Sequence, residues 1–433
     1  MESKNDIMIL RTRDKIEQIR HGNVPEGYKK TKAGILPADW NVYILGDCLR
    51  RIEQPVEVKP NELYAQIGIR SHGKGLFYKE PVTGEALGNK SVFWIEPNCF
   101  ILNIVFAWEQ AIGKTTQAEV GMIGSHRFPM YRPINDAVDI DYLIYYFLTK
   151  RGTDILEAAS PGGAGRNKTL GQDRFLKSKI VLPPFKEQQK IAAILTAQNK
   201  IIKLKENLLT EKQRQKKYLM QQLLTGTKRL PGFNGEWETK LLKQLSEKQR
   251  KKNTGFQYSL VLSNSAQHGI VLQGQEFDKE IANEEQIDRY YIVVPGAFVY
   301  NPRISVTAPC GPINVNETGE IGVMSPLYMV FTIFSPEINR DFLKYYFQSF
   351  CWHKYVKGVA NYGARHDRIS ISDEDFFAMP IPLPPNEEQT AIAEVLSTAD
   401  RELDLLRQDI EQEKQKKKAL MQLLLTGIVR VNV

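Results

Sequence analysis

The stretch Leu182–Arg229, LPPFKEQQKIAAILTAQNKIIKLKENLLTEKQRQKKYLMQQLLTGTKR, returns without a gap at Leu383–Arg430, LPPNEEQTAIAEVLSTADRELDLLRQDIEQEKQKKKALMQLLLTGIVR. Each copy has the marks of one long helix. A double proline cannot continue a helix but suits its start. Glu187, and in the second copy Glu387 and Glu388, place negative charge at the positive end of the helix dipole. Lys212, Arg214, Lys216 and Lys217, and Lys414 with Lys416–Lys418, gather cations toward the other end, where Gly226 and Gly427 suit a left-handed cap. About 39 residues at about 1.5 Å each give a rod of roughly 58 Å. The second copy spaces its apolar residues by threes and fours, at Ile392, Leu396, Ala399, Leu403, Leu406 and Ile410, then Leu420 and Leu424, which is a coiled-coil seam. Ile191, Leu195, Ile202, Leu209, Leu219 and Leu223 form a less regular seam in the first. Such rods need a partner along the seam. The matching helix of the other repeat, packed antiparallel, is the expected one, with a globular head at each end; a homodimeric coiled coil is the alternative.

A period near 200 residues is far longer than the roughly 20–50 of solenoid units, so a whole module is duplicated, a globular part followed by a helix. The globular parts run from about Trp40 to Val181, after a polar leader with turn signals at Gly22, Pro25 and Gly27, and from about Trp237 to Pro382. They share anchors: Asp141–Phe147 (DYLIYYF) with Asp341–Phe347 (DFLKYYF), Gly163–Ala164 with Gly363–Ala364, and Pro97, Phe100 and Asn103 with Pro295, Phe298 and Asn301. Short strands are expected at Ser91–Ile95, Phe100–Phe106, Ile292–Val294, Phe298–Tyr300 and Tyr328–Phe334, with helices at Asp141–Thr149 and Asp341–Phe350. The fold class is α+β. Between the anchors the halves diverge, as two domains with one job and different targets would.

Composition is that of a soluble globular protein of 433 residues, with a net charge of +8 that favours an anionic partner, nucleic acid before membrane. Cys48, Cys99, Cys310 and Cys351 are scattered, which argues for reduced thiols and against structural zinc. The charged start MESKNDIMIL lacks the apolar core of a signal peptide, and no run approaches the ~20 apolar residues of a membrane span. A cytoplasmic location is expected.

Catalytic motifs fail on inspection. Gly113–Lys114–Thr115 resembles the end of a phosphate loop, but Trp108 occupies the place of its first glycine, and Asn167 spoils the second such match at Gly162–Thr169. Asn301–Pro302–Arg303 lacks the second proline and the aromatic of an amino-methyltransferase motif, and no upstream Asp pairs convincingly with Glu57–Lys59 to make a nuclease. A non-catalytic binding protein is expected.

Polar, glycine-containing loops rich in Arg, His, Asn and Lys suit base edges and phosphates. In the first half these hold Arg70, Ser71, His72 and Lys74; Lys114; Ser125, His126 and Arg127; and Arg166, Asn167 and Lys168. In the second they hold Ser263, Asn264, Gln267 and His268; Asn301, Arg303 and Ser305; and Arg365, His366 and Arg368. Arg70, Arg127, Arg303 and Arg365 are candidates for paired hydrogen bonds to guanine, Asn264 and Gln267 for contacts to adenine.

The LPPxxEQxxIAxxL segments, the LLTG ends, the aspartate–aromatic–Leu-x-Tyr-Tyr-Phe helix and the RFLKSKIVLPP and DFFAMPIPLPP entries resemble the DNA specificity subunit of type I restriction–modification enzymes over nearly the whole chain. The resemblance implies two mixed, β-rich target-recognition domains (residues 1–181, leader included, and 230–382) separated by two long antiparallel coiled-coil helices (182–229 and 383–433) in an internal pseudo-two-fold repeat. It implies a bipartite, asymmetric target in double-stranded DNA, and partners: two modification subunits docked on the helices, and restriction subunits. S-adenosylmethionine, Mg and ATP would belong to those partners, with no cofactor in this chain. A coiled-coil structural adaptor without sequence-specific DNA binding is the alternative; it predicts neither recurrent basic loops nor a duplicated β-rich head.

Overall fold

A computed structural model describes residues 4–32, 34–162, 168–273, 287–360 and 367–432. The chain divides into two compact units, Met1–Lys205 with Asp409–Val433, and Glu206–Gln408. Both units are mixed α/β. The leader forms a helix, Lys4–Arg20, where only a polar approach to the first turn was expected.

In the first unit a four-stranded sheet runs in the order Leu49–Ile52, Met130–Pro133, Phe100–Leu102, Ile112–Lys114, and the second unit repeats that order with Ser246–Lys248, Met329–Ile333, Phe298–Tyr300 and Ile313–Val315. The first unit adds a second four-stranded sheet, Leu76–Thr83, Leu63–Ile69, Ile123–Ser125 and Val92–Trp94; among the described residues the second has instead the pairs Leu262–Ser265 with Gly269–Leu272, and Tyr291–Val293 with Gly322–Met324. A two-stranded ribbon ties each entry strand to the strand before the double proline: Asn41–Ile44 with Lys179–Leu182, and Glu238–Leu241 with Pro380–Leu383.

The expected strand Phe100–Phe106 stops at Leu102. The Asn103 side chain accepts from the Val105 backbone N–H at 3.1 Å and turns the chain away from the sheet, a local bond that competes with the ladder. The aromatic helices form as Ile140–Phe147 and Arg340–Gln348, capped by Asp139 and Asn339. Their inner faces supply Tyr142, Leu143 and Phe147, or Phe342, Leu343 and Phe347, to the main core of each unit. The four cysteines are free thiols, three of them buried.

The long helices are Phe185–Leu223 and Asn386–Leu424. Gly226 and Gly427 follow them with φ of +68° and +74°, the conformation that ends a helix at least cost with glycine. In the first unit Gln198 donates to Glu413 and Lys205 pairs with Asp409 and Glu413; in the second Lys212 pairs with Glu402 and Lys216 with Asp400. Within each unit, therefore, rising positions on one helix meet falling positions on the other. Ile191, Leu195 and Ile202 are buried on the first helix, and Ile392, Leu396, Leu403 and Ile410 on the second; Leu209 and Leu406 are only half-buried.

The repeated Glu-Gln of the helix starts holds each unit together. Gln188 donates to the Pro183 carbonyl and accepts from the backbone N–H of Asp139; Gln389 does the same with Pro384 and Asn339. Each helix start is thus bonded to the cap of an aromatic helix. Glu187 and Glu388, both fully buried, receive an arginine from the end of the other long helix: Arg430 Nε and Nη2 at 2.7 and 2.8 Å, Arg229 Nε and Nη2 at 2.6 Å each. The indoles of Trp40 and Trp237 donate to the same carboxylates.

Candidate nucleic-acid interface

Within the second unit the loops singled out from sequence converge. A cleft of about 540 Å³ is lined by Ser263, Asn264, Asn301, Arg303, Ser305 and Arg368, with Tyr290, Ser325 and Tyr328 completing its walls. Three segments build it: the hairpin Leu262–Ser265/Gly269–Leu272, the turn after Phe298–Tyr300, and the segment in which Arg368 forms an isolated antiparallel bridge with Arg303.

The roles inside the cleft are not alike. Asn264 is buried, donating to the carbonyls of Val299 (2.7 Å) and Pro312 (3.4 Å) and accepting from Asn314 at 2.7 Å. Its amide is therefore saturated by protein, which corrects the expectation that it reads adenine. Asn301 is likewise occupied: its Nδ2 donates to the Asn264 carbonyl and its Oδ1 accepts from the Arg303 N–H. Ser305 accepts from the Ala308 N–H at 3.1 Å and closes a turn. Arg303 is exposed, and it and Arg368 share one carboxylate, Asp367, at 3.9 and 3.8 Å. Contacts that long are weak, so two guanidiniums stand over one carboxylate with a net positive charge toward solvent. Gln267 and His268 sit exposed at the hairpin tip. Nothing in the sequence marks Tyr290 or Tyr328 as a cleft wall; Tyr328 falls in the expected strand Tyr328–Phe334.

In the first unit the segment 103–110 gathers the corresponding loops. Ser71 donates to the Glu109 carboxylate at 3.0 Å, and the backbone N–H groups of His72 and Gly73 donate to the carbonyls of Glu109 and Gln110. Ile104 donates to the Arg127 carbonyl and accepts from the Leu170 N–H. The Lys168 ammonium lies 5.2 Å from the Trp108 ring centre, and the Arg70 guanidinium 5.0 Å from that of Phe77. His72, Lys74, His126 and Arg127 are exposed, while Ser125 accepts from the Arg127 N–H within its own turn. Lys114 is bound to Asp141 at 2.7 Å, a structural ion pair rather than a free contact. Arg166, Asn167, Arg365 and His366 lie outside the described residues.

The two assemblies share one backbone device. Val105 donates to the Asn103 side chain and Ile104 accepts from Leu170; Arg303 donates to the Asn301 side chain and Pro302 accepts from Ile369. The device recurs while the side chains it presents differ, valine in one unit and arginine in the other. Among the described residues there is no cluster able to hold a metal ion, and no helix long and apolar enough to cross a membrane.

The type I restriction modification DNA specificity domain matches residues 78–212 and 234–415, most of both repeats. The chain belongs to this family. The specificity subunits of the MjaX and MjaVIII type I restriction enzymes of Methanocaldococcus jannaschii are each 25% identical, over 94% of this chain and 97% and 96% of theirs. The crystal structure of the HsdS subunit from Thermoanaerobacter tengcongensis shares the fold, with a TM-score of 0.53 at 18% identity over 91% of this chain and 98% of that one. As a member of the family, the chain is a DNA specificity subunit of a type I restriction–modification system.

Proposed function

We propose that each unit of this specificity subunit reads one half of a bipartite, asymmetric duplex target, and that the long helices form an antiparallel coiled-coil spacer on which two modification subunits dock. The target-recognition domains are 1–181 and 230–382, with spacers 182–229 and 383–433. The observation that carries this reading is the recurring asparagine-held turn, built alike at Asn103 and Asn301 but presenting unlike side chains. Two equal scaffolds with unequal contact surfaces suit a target with two unequal halves. Linking them turns two modest half-site affinities into one tight interaction through effective concentration. In the second unit Arg303, Arg368, Gln267 and His268 contact DNA; in the first Arg70, His72, Lys74, His126, Arg127 and Lys168 do. Chemistry belongs to the partners: the modification subunits bring S-adenosylmethionine, and restriction subunits bring ATP and Mg, in the cytoplasm.

The test is a methylome. The chain is expressed with its modification subunit in cells free of other adenine methylation, and modified bases are mapped. A bipartite motif with a fixed gap is expected. Absence of methylation from a stable, S-adenosylmethionine-binding complex would overturn the reading.

A further inference from the structure

The two repeats correspond at an offset of 201 residues, Leu182 to Leu383, so Lys216 and Lys417 occupy the same place on the two long helices. The residue facing each ammonium differs. In the second unit the Lys216 ammonium pairs with Asp400, which also accepts from the Tyr345 hydroxyl at 2.9 Å. In the first unit the place of Asp400 is taken by Asn199, whose Nδ2 donates to the Tyr145 hydroxyl at 2.7 Å. An amide carries no charge, and among the described residues Lys417 has no ion-pair partner. Burial, unopposed by any anion, pushes its pKa below the ordinary lysine value. A half-buried ammonium without a counter-ion is costly unless something supplies one.

Lys417 lies in a groove of about 830 Å³ lined by Lys150, Arg151, Lys414 and Lys418 as well, and no carboxylate lines it among the described residues. Ile202, Met421 and Leu425 give it an apolar floor. The second unit has a groove at the equivalent place, about 430 Å³, where Phe350 and Cys351 stand for Lys150 and Arg151 and Lys217 is the one cation of the described lining. Its ammonium lies 5.2 Å from the Phe350 ring centre. Groove and apolar methionine recur, then, but the charge does not. Duplex phosphates would need cations in both units and would meet little use for an apolar floor. A protein surface, with an apolar contact and an acidic flank, fits both grooves and fills the first one's charge.

We propose that the groove of the first unit docks an acidic segment of the modification subunit, with Lys417 taking from it the carboxylate that Lys216 receives from Asp400. This rests on the specificity-subunit reading. The two copies of the modification subunit are then held unequally, one with an ion pair in a half-buried groove and one without.

The experiment is a salt titration of the purified complex of full-length chain and modification subunits, read by mass photometry, with DNA binding measured in parallel. Lys417→Gln removes the ammonium; Asn199→Asp keeps it but provides an internal carboxylate, as in the second unit. Both variants are expected to weaken one of the two modification subunits by about tenfold in Kd, leaving the other unchanged. Release of both subunits at the wild-type salt concentration in both variants would overturn the proposal. So would intact assembly with reduced, less salt-sensitive DNA affinity, which would make the groove a phosphate site. A wild-type chain that captures no modification subunit would overturn the specificity-subunit reading together with this one, whereas the first two outcomes leave that reading standing.

Discussion

Replacing Arg430 by methionine keeps most of the aliphatic stem and removes the guanidinium that closes the first unit. The Glu187 side chain is 1% exposed, and it holds Arg430 through two hydrogen bonds and Trp40 through one at 3.2 Å. After the substitution a buried carboxylate keeps only the indole. Breaking a buried ion pair from one side costs about 3–5 kcal/mol. Arg430 is 35% exposed, so water can reach the vacated place, and the lower end, about 3 kcal/mol, is the expectation. At about 1.4 kcal/mol per decade that is on the order of 10²-fold in the opening equilibrium. Native-state hydrogen exchange reads it unit by unit. Amides of Ile140–Phe147 and of the first helix turns after Phe185 should exchange on the order of 10²-fold faster, while Arg340–Gln348, which has its own Arg229–Glu388 clamp, should not change. Adding Glu187→Gln should restore part of the loss, since an amide tolerates burial better than an unpaired carboxylate. A loss under about 1 kcal/mol, or equal acceleration in both units, would refute the reasoning.

Asp39 accepts from Arg430 Nη1 and from Nη2, which it shares with Glu187, and its pKa is lowered, chiefly by hydrogen bonding to that guanidinium. A carboxyl whose folded pKa lies below its unfolded value of about 3.9 stabilises fully above that value and loses the effect as pH falls through the folded one. Arg430→Met should flatten this small acid-side slope, and an unchanged slope in acid titrations of the variant would count against it. Tyr142→Phe should stabilise the first unit by roughly 1 kcal/mol, because the Tyr142 hydroxyl is buried without a partner among the described residues and Phe342 fills the equivalent place; slower exchange in Ile140–Phe147 would show it, faster exchange would refute it. Gly427→Ala should cost more than Gly226→Ala: both have positive φ, but a Cβ at Gly427 meets Pro37 Cγ at 2.6 Å, whereas at Gly226 it meets Trp237 at 3.4 Å. Equal losses in chemical denaturation would contradict that ranking. Arg303→Ala should either lower the salt slope of DNA binding by about one charge, if it meets phosphate, or relax one position of the target at about 1–3 kcal/mol, if it meets a base; a variant with wild-type affinity, slope and motif would remove Arg303 from the interface.

The long helices could be read from sequence because their signals are local: double proline, acidic first turn, capping glycine, and, in the second copy, apolar residues spaced by threes and fours from Ile392 to Ile410. The aromatic helices were legible for the same reason. The loops were not, because a polar loop and a polar, solvated contact surface look alike in sequence. Asn264 in SNSAQH has the composition of a base-reading residue, yet it lies on the strand Leu262–Ser265 and spends its amide on Val299, Pro312 and Asn314. Only the non-local backbone shows that those carbonyls lie within reach.

The clamps make the same point more sharply. Both repeats plainly carry a Glu-Gln at the helix start and an arginine after the helix end, but a tandem repeat could close each module on itself. It closes crosswise instead: Arg430 reaches Glu187 across 243 positions, and Arg229 reaches Glu388 across 159. The choice follows from geometry rather than from any single motif. A helix of 39 residues is roughly 58 Å long at about 1.5 Å per residue, so the arginine that follows it does not return to the glutamate that opens it. That arginine can meet only a helix start lying beside it, and two antiparallel copies put one there. Lys205 with Asp409 in the first unit, and Lys212 with Glu402 in the second, hold that arrangement in register. Each unit is thus completed by the far end of the other repeat's helix, which is why a change at Arg430 should be felt at Trp40 rather than at Trp237.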